Sequence, residues 1–293
     1  MRVALHDADK TDFPNLALMK ISSFHKVCGD SVEWYQPGSE YDRVYSSKVF
    51  TSTPTDDTLP ADTIKGGTGY DITAVLPDYI EACFPDYSLY NLSHSMGFLT
   101  RGCPRKCPWC FVPAKEGEIR AASTIQQIMH PSHSAAVLMD NNVLAHQHGI
   151  HQIEEIARLG IKVDFNQGLD ARLIDAPMAR LLSKVKWLSP VRLACDDSSQ
   201  IETVRRAVET MRWHNVSPRN YWCYVLVKDV ADAVQRVRFL KGISVEPFCQ
   251  PYLDMDGTPP TRDQRRLARW VNNRQLYKTR TWGEYQVERG ELL

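Results

Sequence analysis

The chain has 293 residues, of which 43% are hydrophobic and 24% charged, and its formal net charge is zero. This length suits one principal domain with a smaller appendage, and the composition is that of an ordinary soluble globular protein. A neutral chain gives no indication of its partner from net charge.

The N-terminal segment argues against export, because Arg2, Asp7 and Asp9 interrupt what would be the apolar region of a signal peptide. No later apolar run approaches the length that spans a membrane. We therefore expect a cytoplasmic protein with no membrane partner. In that reducing compartment the eight cysteines favour a metal site where they cluster and buried free thiols where they are scattered.

The first 50 residues predict a strand, a helix and two further strands. Residues 2–8 are apolar and β-branched, Asp12 and Pro14 begin a helix that Gly29 ends, and strands are predicted at 31–36 and 42–50. We interpret this segment as a small Rossmann-like unit with too few elements to be stable alone.

Residues 51–87 are rich in Pro, Gly, Asp and Thr and show no periodicity. Their segment Lys65-Gly66-Gly67-Thr68-Gly69 could cradle a phosphate, but it lacks the preceding strand and the following helix that such a site requires. We interpret it as a plain turn in a linker. The first predicted domain therefore comprises residues 1–88.

From residue 89 to 255 strands and helices alternate. Strands are predicted at 96–99, 135–139, 162–165, 191–194, 222–227 and 244–248. Helices are predicted to begin at Ser123 and at 149–159, 177–185, 200–211 and 230–240. Six strand–helix units in succession predict a parallel sheet whose reactive loops follow the carboxyl ends of the strands.

The loop after the first of these strands carries Cys103, Cys107 and Cys110. Three thiolates on so short a loop can reach three irons of one cubane cluster, because Cys is the standard ligand of such clusters. The fourth iron would then lack a protein ligand and could bind the amine and carboxylate of S-adenosylmethionine (SAM).

Because the cysteine loop follows the first strand of the alternating region, the sequence resembles the radical SAM superfamily over residues 95–251. The hallmark of that superfamily is the same cysteine spacing with an aromatic residue just before the last cysteine, here Trp109. The resemblance implies an α/β fold with a partial (β/α)6 TIM-like barrel, a 4Fe-4S cluster and SAM. It also implies a reducing electron donor of the flavodoxin-like or ferredoxin-like kind.

The resemblance further implies SAM contacts at the ends of later strands. Asp140 and Asn141 follow the second strand and are candidates for the methionine amine. Arg172, after the third strand, is a candidate for the SAM carboxylate, and Asp196, after the fourth, for the ribose hydroxyls. Turn formation is the alternative role for the residues after the second strand.

Spacing alone leaves a zinc site open, with His94, His130 or His133 as the fourth ligand. Cys195, Cys223 and Cys249 lie at different heights on successive predicted strands, so we expect buried free thiols rather than a second cluster, and likewise for Cys28 and Cys83.

The N-terminal unit is similar to a shortened cobalamin-binding domain of some superfamily members. The histidine motif Asp-x-His-x-x-Gly of those domains is absent from the sequence. We therefore do not expect cobalamin held by a histidine, and we interpret the unit as structural.

The C-terminal tail, residues 256–293, is basic. Residues 261–282 contain seven Lys or Arg and one Asp. With Trp270 and Trp282 interleaved, this tail could bind nucleic acid through phosphates and base stacking. The alternative is an amphipathic helix that packs on the main domain through Leu267, Trp270 and Val271.

Taken together, these patterns predict an enzyme that cleaves SAM reductively to a 5'-deoxyadenosyl radical, which abstracts hydrogen from an unidentified substrate. Two alternatives remain open at this point. One is an RNA-modifying or methylthio-transferring relative, and the other is a zinc-binding interaction protein.

Overall fold

A computed structural model describes residues 1–218, 220–253 and 257–288. The chain is a mixed α/β protein with parallel sheets, which confirms the predicted class at that level. It forms two compact units, the first from residues 1–97 and 126–133 and the second from residues 98–125 and 134 onward. Within the described part of the chain, every helix is too short or too polar to cross a lipid bilayer.

The first unit contains one parallel sheet in the order β2-β1-β3-β4. Its strands are β1 (Arg2–Asp7), β2 (Ser31–Trp34), β3 (Arg43–Ser47), β4 (Ile64–Gly66) and the separate short strand β5 (Ser95–Gly97). Its helices are α1 (Leu16–Val27) and α2 (Asp78–Glu81). The predicted order of one strand, one helix and two strands is therefore present.

Helix α1 covers this sheet for reasons visible in its sequence. The side chain of Asn15 accepts a hydrogen bond from the backbone N–H of Leu18 and so caps the helix. Leu18 and Ile21, three residues apart, lie on one face and pack against Leu5 and other apolar side chains of the sheet.

The glycine-rich segment differs from our expectation, because its first two residues belong to the strand β4. A three-residue strand is too short to show an alternating pattern, so sequence periodicity could not indicate it. Gly67 has a φ of +93°, and a Cβ atom there would lie 2.4 Å from the carbonyl oxygen of Lys48. The glycine thus allows the chain to pass directly beside the end of β3.

The second unit contains two parallel sheets, one that includes β8-β9-β10 and one in the order β11-β12-β13, and an antiparallel hairpin β6-β7. Its strands are β6 (Thr100–Arg101), β7 (Arg120–Ala121), β8 (Ala135–Leu138), β9 (Lys162–Phe165), β10 (Lys186–Trp187), β11 (Val191–Ala194), β12 (Tyr221–Val227) and β13 (Glu246–Pro251). Its helices are α3 (Val112–Glu116), α5 (Gln147–Leu159), α6 (Ala176–Leu182), α7 (Ile201–Trp213), α8 (Val230–Gly242), α9 (Arg262–Asn272), α10 (Arg274–Thr279) and α11 (Trp282–Glu288). The short helix α4 (Ile125–Ile128) contributes its first residue to the second unit and the other three to the first.

Strand β12 shows how this unit is layered. Tyr221, Cys223, Val225 and Val227 are buried, whereas the alternate residues are half-buried. The buried face packs against the helix layer that includes α8, since Ala233, Val237 and Leu240 of that helix are also buried.

The basic tail belongs to the second unit, and its helix α9 packs on β13. Leu267, Trp270 and Val271 of α9 are buried, as the packing interpretation expects. The side-chain amide of Asn272 accepts from the backbone N–H of Cys249 at 2.8 Å and donates to its carbonyl oxygen at 2.9 Å, which fastens the helix to β13. The exposed side of α9 carries Arg262, Arg265 and Arg269.

Candidate functional site

A cavity of about 490 Å³ lies in the second unit at the carboxyl ends of its parallel strands. Cys103, Cys107 and Cys110 all line it. So do four of the five predicted SAM contacts, namely Trp109, Asn141, Arg172 and Asp196. The structure therefore brings together residues that lie up to 93 positions apart in the chain, all drawn from loops that follow strands.

The cysteine loop begins with a glycine that the backbone requires. Gly102 has a φ of +81°, and a Cβ atom there would lie 2.4 Å from the carbonyl oxygen of Glu118. This close approach closes the loop at the β6-β7 hairpin. Farther along, the backbone N–H of Cys110 donates to the carbonyl oxygen of Cys107 at 3.0 Å, forming a turn between the two cysteines.

The three thiols are half-buried. Burial raises the pKa of Cys110, and the nearby Cys107 and Cys103 raise it further while a backbone hydrogen bond from Val112 opposes them. A thiol that is held protonated by burial becomes a ligand when a metal displaces its proton, so binding of a metal here should release protons.

Asp140, the remaining predicted contact, does not line the cavity. Its carboxylate is buried and accepts hydrogen bonds from the backbone N–H groups of Leu99 and Thr100 and from the Thr100 hydroxyl, at 2.5 to 3.2 Å. Burial raises the pKa of Asp140 to about 6, against the effect of these hydrogen bonds. The side chain thus fixes the chain just before the cysteine loop.

Asn142 occupies the position by the cavity that we had expected of Asp140. Its amide nitrogen donates to Asp170 at 3.0 Å and lies 3.6 Å from the sulfur of Cys103. Its Oδ1 atom is buried and, among the described residues, has no hydrogen-bond partner. A buried acceptor without a donor is costly, and such atoms in native proteins call for an explanation such as a ligand or water.

Asp170 was not singled out from the sequence, yet it holds several parts of the site together. It accepts hydrogen bonds from Arg105 in the cysteine loop at 3.1 Å and from Arg172 at 2.6 and 3.0 Å. Burial alone would raise the pKa of Asp170, but the hydrogen bonds from Arg172 and Asn142 outweigh it and hold the pKa below its ordinary value. Asp170 therefore carries a full negative charge at neutral pH.

Arg172 thus has a partner in the protein itself. Its side chain remains 40% exposed, which leaves part of the guanidinium accessible from the cavity. A guanidinium carries five N–H donors, so Arg172 can bind a ligand carboxylate while it keeps its pair with Asp170.

Asp196 follows β11 and is half-buried. Its carboxylate accepts from the backbone N–H of Leu226 at 3.1 Å. Burial raises the pKa of Asp196, while the hydrogen bond from Leu226 and the nearby Arg236 and Lys228 oppose that rise. The carboxylate thus connects the end of β11 to the end of β12.

Arg236 is a second residue that was not selected from the sequence. It is fully buried in α8, pairs with Asp232, and donates to the carbonyl oxygens of Cys195 at 2.6 Å and Leu226 at 3.0 Å. Arg236 therefore provides hydrogen bonds to the carbonyl groups at the ends of β11 and β12, close to Asp196.

The remaining cysteines are free thiols. Cys195, Cys223 and Cys249 are buried as predicted, and burial raises the pKa of Cys195 and of Cys249 to about 12. The prediction was wrong for Cys28, which is exposed, and Cys83 is only half-buried. Cys28 is the C-cap residue of α1, directly after Val27.

The histidines considered as zinc ligands have contacts within the first unit. The rings of His130 and His133 lie 4.7 Å apart, and His133 is within hydrogen-bonding distance of the Ser95 hydroxyl. Over residues 1–218, 220–253 and 257–288, no three His, Cys, Asp or Glu side chains are grouped closely enough to hold a single metal ion.

The donor set at the cavity nonetheless suits an iron–sulfur cluster. Three thiols from one loop face the same space, and in a cubane each thiolate binds its own iron, so the sulfurs need not converge on a single ion.

Compared with known proteins, the chain matches no protein-family model, and no curated protein is significantly similar to it.

Proposed function

We propose that this protein is a radical SAM enzyme, in which Cys103, Cys107 and Cys110 hold a 4Fe-4S cluster. The observation that carries the proposal is the shared cavity. The three thiols line it together with Asn141, Arg172 and other polar side chains that follow separate parallel strands. Ligand sites in sheets of this kind lie at the carboxyl ends of the strands.

The same proposal extends to the fold. Two parallel sheets, β8-β9-β10 and β11-β12-β13, with helices in the connections between successive strands, are the parts from which a partial (β/α)6 barrel would be built. The first sheet ends with β10 and the second begins with β11, and Pro190 lies in the short segment between these strands.

The residues of the cavity offer a complementary group for each polar part of SAM. The unpaired Oδ1 of Asn142 would accept a hydrogen bond from the methionine amine, with Asn141 beside it. Arg172 would bind the methionine carboxylate through donors that Asp170 does not use. Asp196 would accept hydrogen bonds from the ribose hydroxyls, and Trp109 offers a flat aromatic surface.

When bound, the reduced cluster would supply one electron to SAM, giving methionine and a 5'-deoxyadenosyl radical that takes a hydrogen atom from the substrate. The chain's own part is to orient SAM and to limit the access of water. A low-potential donor, flavodoxin-like or ferredoxin-like, would deliver the electron, and the substrate is a further molecule that the cavity must admit. The proposed reaction does not use cobalamin. We propose that the protein is located in the cytoplasm.

Anaerobic reconstitution with iron and sulfide tests this proposal. We expect brown protein with about four irons per chain and broad absorption at about 400 nm. After reduction, SAM should be converted to 5'-deoxyadenosine and methionine, measured by chromatography. Alanine at Cys103, Cys107 or Cys110 should abolish both properties, whereas Cys195→Ala is the control and should keep them. Colourless protein with one zinc per chain would support the zinc-binding alternative instead.

A further inference from the structure

Lys228 approaches the cysteine loop from the neighbouring strand. It follows β12 directly, and its ammonium group lies 3.8 Å from the centre of the Trp109 ring. A cation over the face of a tryptophan ring is attracted by the negative charge of the π system. Because Trp109 is joined directly to Cys110, any restraint on the indole also restrains the last of the three cysteines.

The carboxyl group of Asp196 lies near the same side chain. Burial raises the pKa of Asp196, and the Trp109 side chain is among the groups that oppose this rise. Lys228 therefore restrains the indole through its face, and Asp196 lies near the same side chain. Both residues lie at carboxyl ends of neighbouring strands, β12 and β11.

The backbone of Lys228 is fixed in turn by the C-terminal region. Gln264 of α9 donates from its side-chain amide to the carbonyl oxygen of Lys228 at 2.7 Å. Gln264 is buried, and its position is set by a capping box with Thr261 at the start of α9. The basic tail thus has a structural connection to the cysteine loop that runs through Lys228.

We propose that Lys228 is a positioning residue that fixes Trp109, and with it the cysteine loop, against the carboxyl end of β12. The relevance of this restraint to catalysis rests on the proposed function, but the restraint itself does not need a bound cluster.

The test compares Lys228→Met, which keeps the length of the side chain without its charge, with Lys228→Arg, which keeps a cation. Lys241→Met is the matched control, because the Lys241 ammonium lies 5.1 Å from the centre of the Tyr277 ring in the same unit. In cluster-free protein, the alkylation rate of Cys110 by iodoacetamide is measured by mass spectrometry of the peptide.

We expect Lys228→Met to accelerate alkylation of Cys110 about two- to fivefold, the factor that corresponds to loss of one cation–π contact. Lys228→Arg and Lys241→Met should react at the wild-type rate. The proposal is overturned if Lys228→Met also reacts at that rate, or if Lys241→Met accelerates the reaction equally.

In reconstituted protein, the midpoint potential provides a second measurement. Loss of the nearby positive charge should make the cluster of Lys228→Met harder to reduce, and Lys228→Arg should restore the wild-type potential. An unchanged potential in Lys228→Met would overturn the proposal. If wild-type protein forms no cluster at all, the proposed function fails, whereas the alkylation experiment still decides the role of Lys228.

Discussion

The carboxylate of Asp170 accepts a hydrogen bond from Nε of Arg105 at 3.1 Å. Arg105 lies between the first two cysteines of the loop, and Asp170 follows β9. The pair therefore connects the proposed metal ligands to the residues proposed to bind SAM. Since Arg172 donates to the same carboxylate, Asp170 also orients the group expected to face the SAM carboxylate.

Replacing Asp170 by Asn should weaken SAM binding without removing the cluster. The variant keeps the shape of the side chain but loses the charge that holds Arg172, and a hydrogen bond to a charged group is worth about 1.5–3 kcal/mol, or roughly tenfold to a hundredfold in affinity. Titration calorimetry with SAM on reconstituted protein would measure this. Asp229→Asn is the control, because Asn caps a helix as well as Asp does. Normal SAM affinity in Asp170→Asn would contradict the role given to this residue.

Replacing Gly102 by Ala should displace the cysteine loop and prevent cluster assembly. The new methyl group would meet the carbonyl oxygen of Glu118 at 2.4 Å, in addition to the cost of a positive φ. Gly117→Ala is the matched comparison, since Gly117 also has a positive φ but open space around its Cβ position. Iron content after reconstitution should fall much further in Gly102→Ala, and equal losses in both variants would show that backbone strain alone is responsible.

The buried carboxyl group of Asp140 should lower the free energy of unfolding as the pH rises, which is opposite to the usual effect of a carboxyl group. Its pKa of about 6 in the folded chain lies above that of an unfolded Asp, so the folded state holds the proton more tightly. The resulting stabilisation is complete below about pH 4 and is lost as the pH rises through about 6. Two pKa units correspond to about 3 kcal/mol.

Urea unfolding of cluster-free protein between pH 4 and 7 would measure this effect. Asp140→Asn does not titrate, so the difference in unfolding free energy between wild type and variant isolates Asp140 from other carboxylates. We expect wild type to lose about 3 kcal/mol relative to the variant over this range. A difference independent of pH would show that Asp140 keeps an ordinary pKa.

Replacing Trp270 by Ala should destabilise the second unit. Trp270 is 5% exposed and packs against Tyr277 and Trp282, with ring centres 5.3 and 5.6 Å apart. Removing a buried Trp costs about 3–5 kcal/mol, measurable by urea unfolding. Trp213→Ala is the control, because Trp213 is 83% exposed. If Trp270→Ala instead leaves stability unchanged and weakens a salt-sensitive binding to nucleic acid, the tail serves recognition rather than packing.

The parts of the site that could be predicted are those specified by local sequence. The spacing of Cys103, Cys107 and Cys110 and the alternation of strands and helices are visible within short windows, and they place Asn141, Arg172 and Asp196 at strand ends. Strands of two or three residues, such as β4 and β10, give no such pattern.

The direction of a side chain at a strand end could not be predicted. Asp140 and Asn142 both follow β8, but Asp140 is turned away from the cavity by backbone donors at Leu99 and Thr100, which lie 41 and 40 residues earlier. The role of Asp170 depends on Arg105, 65 residues away. Such contacts arise only when the chain folds, so composition and periodicity carry no trace of them.

The amide of Asn272 has a consequence for association between copies of the chain. Strand β13 lies at the edge of its sheet, where an unpaired N–H and carbonyl group could recruit a strand from another molecule. Asn272 occupies both groups of Cys249 as a neighbouring peptide would. A single side chain of a helix thereby blocks this stretch of the edge and protects the protein against strand-to-strand aggregation.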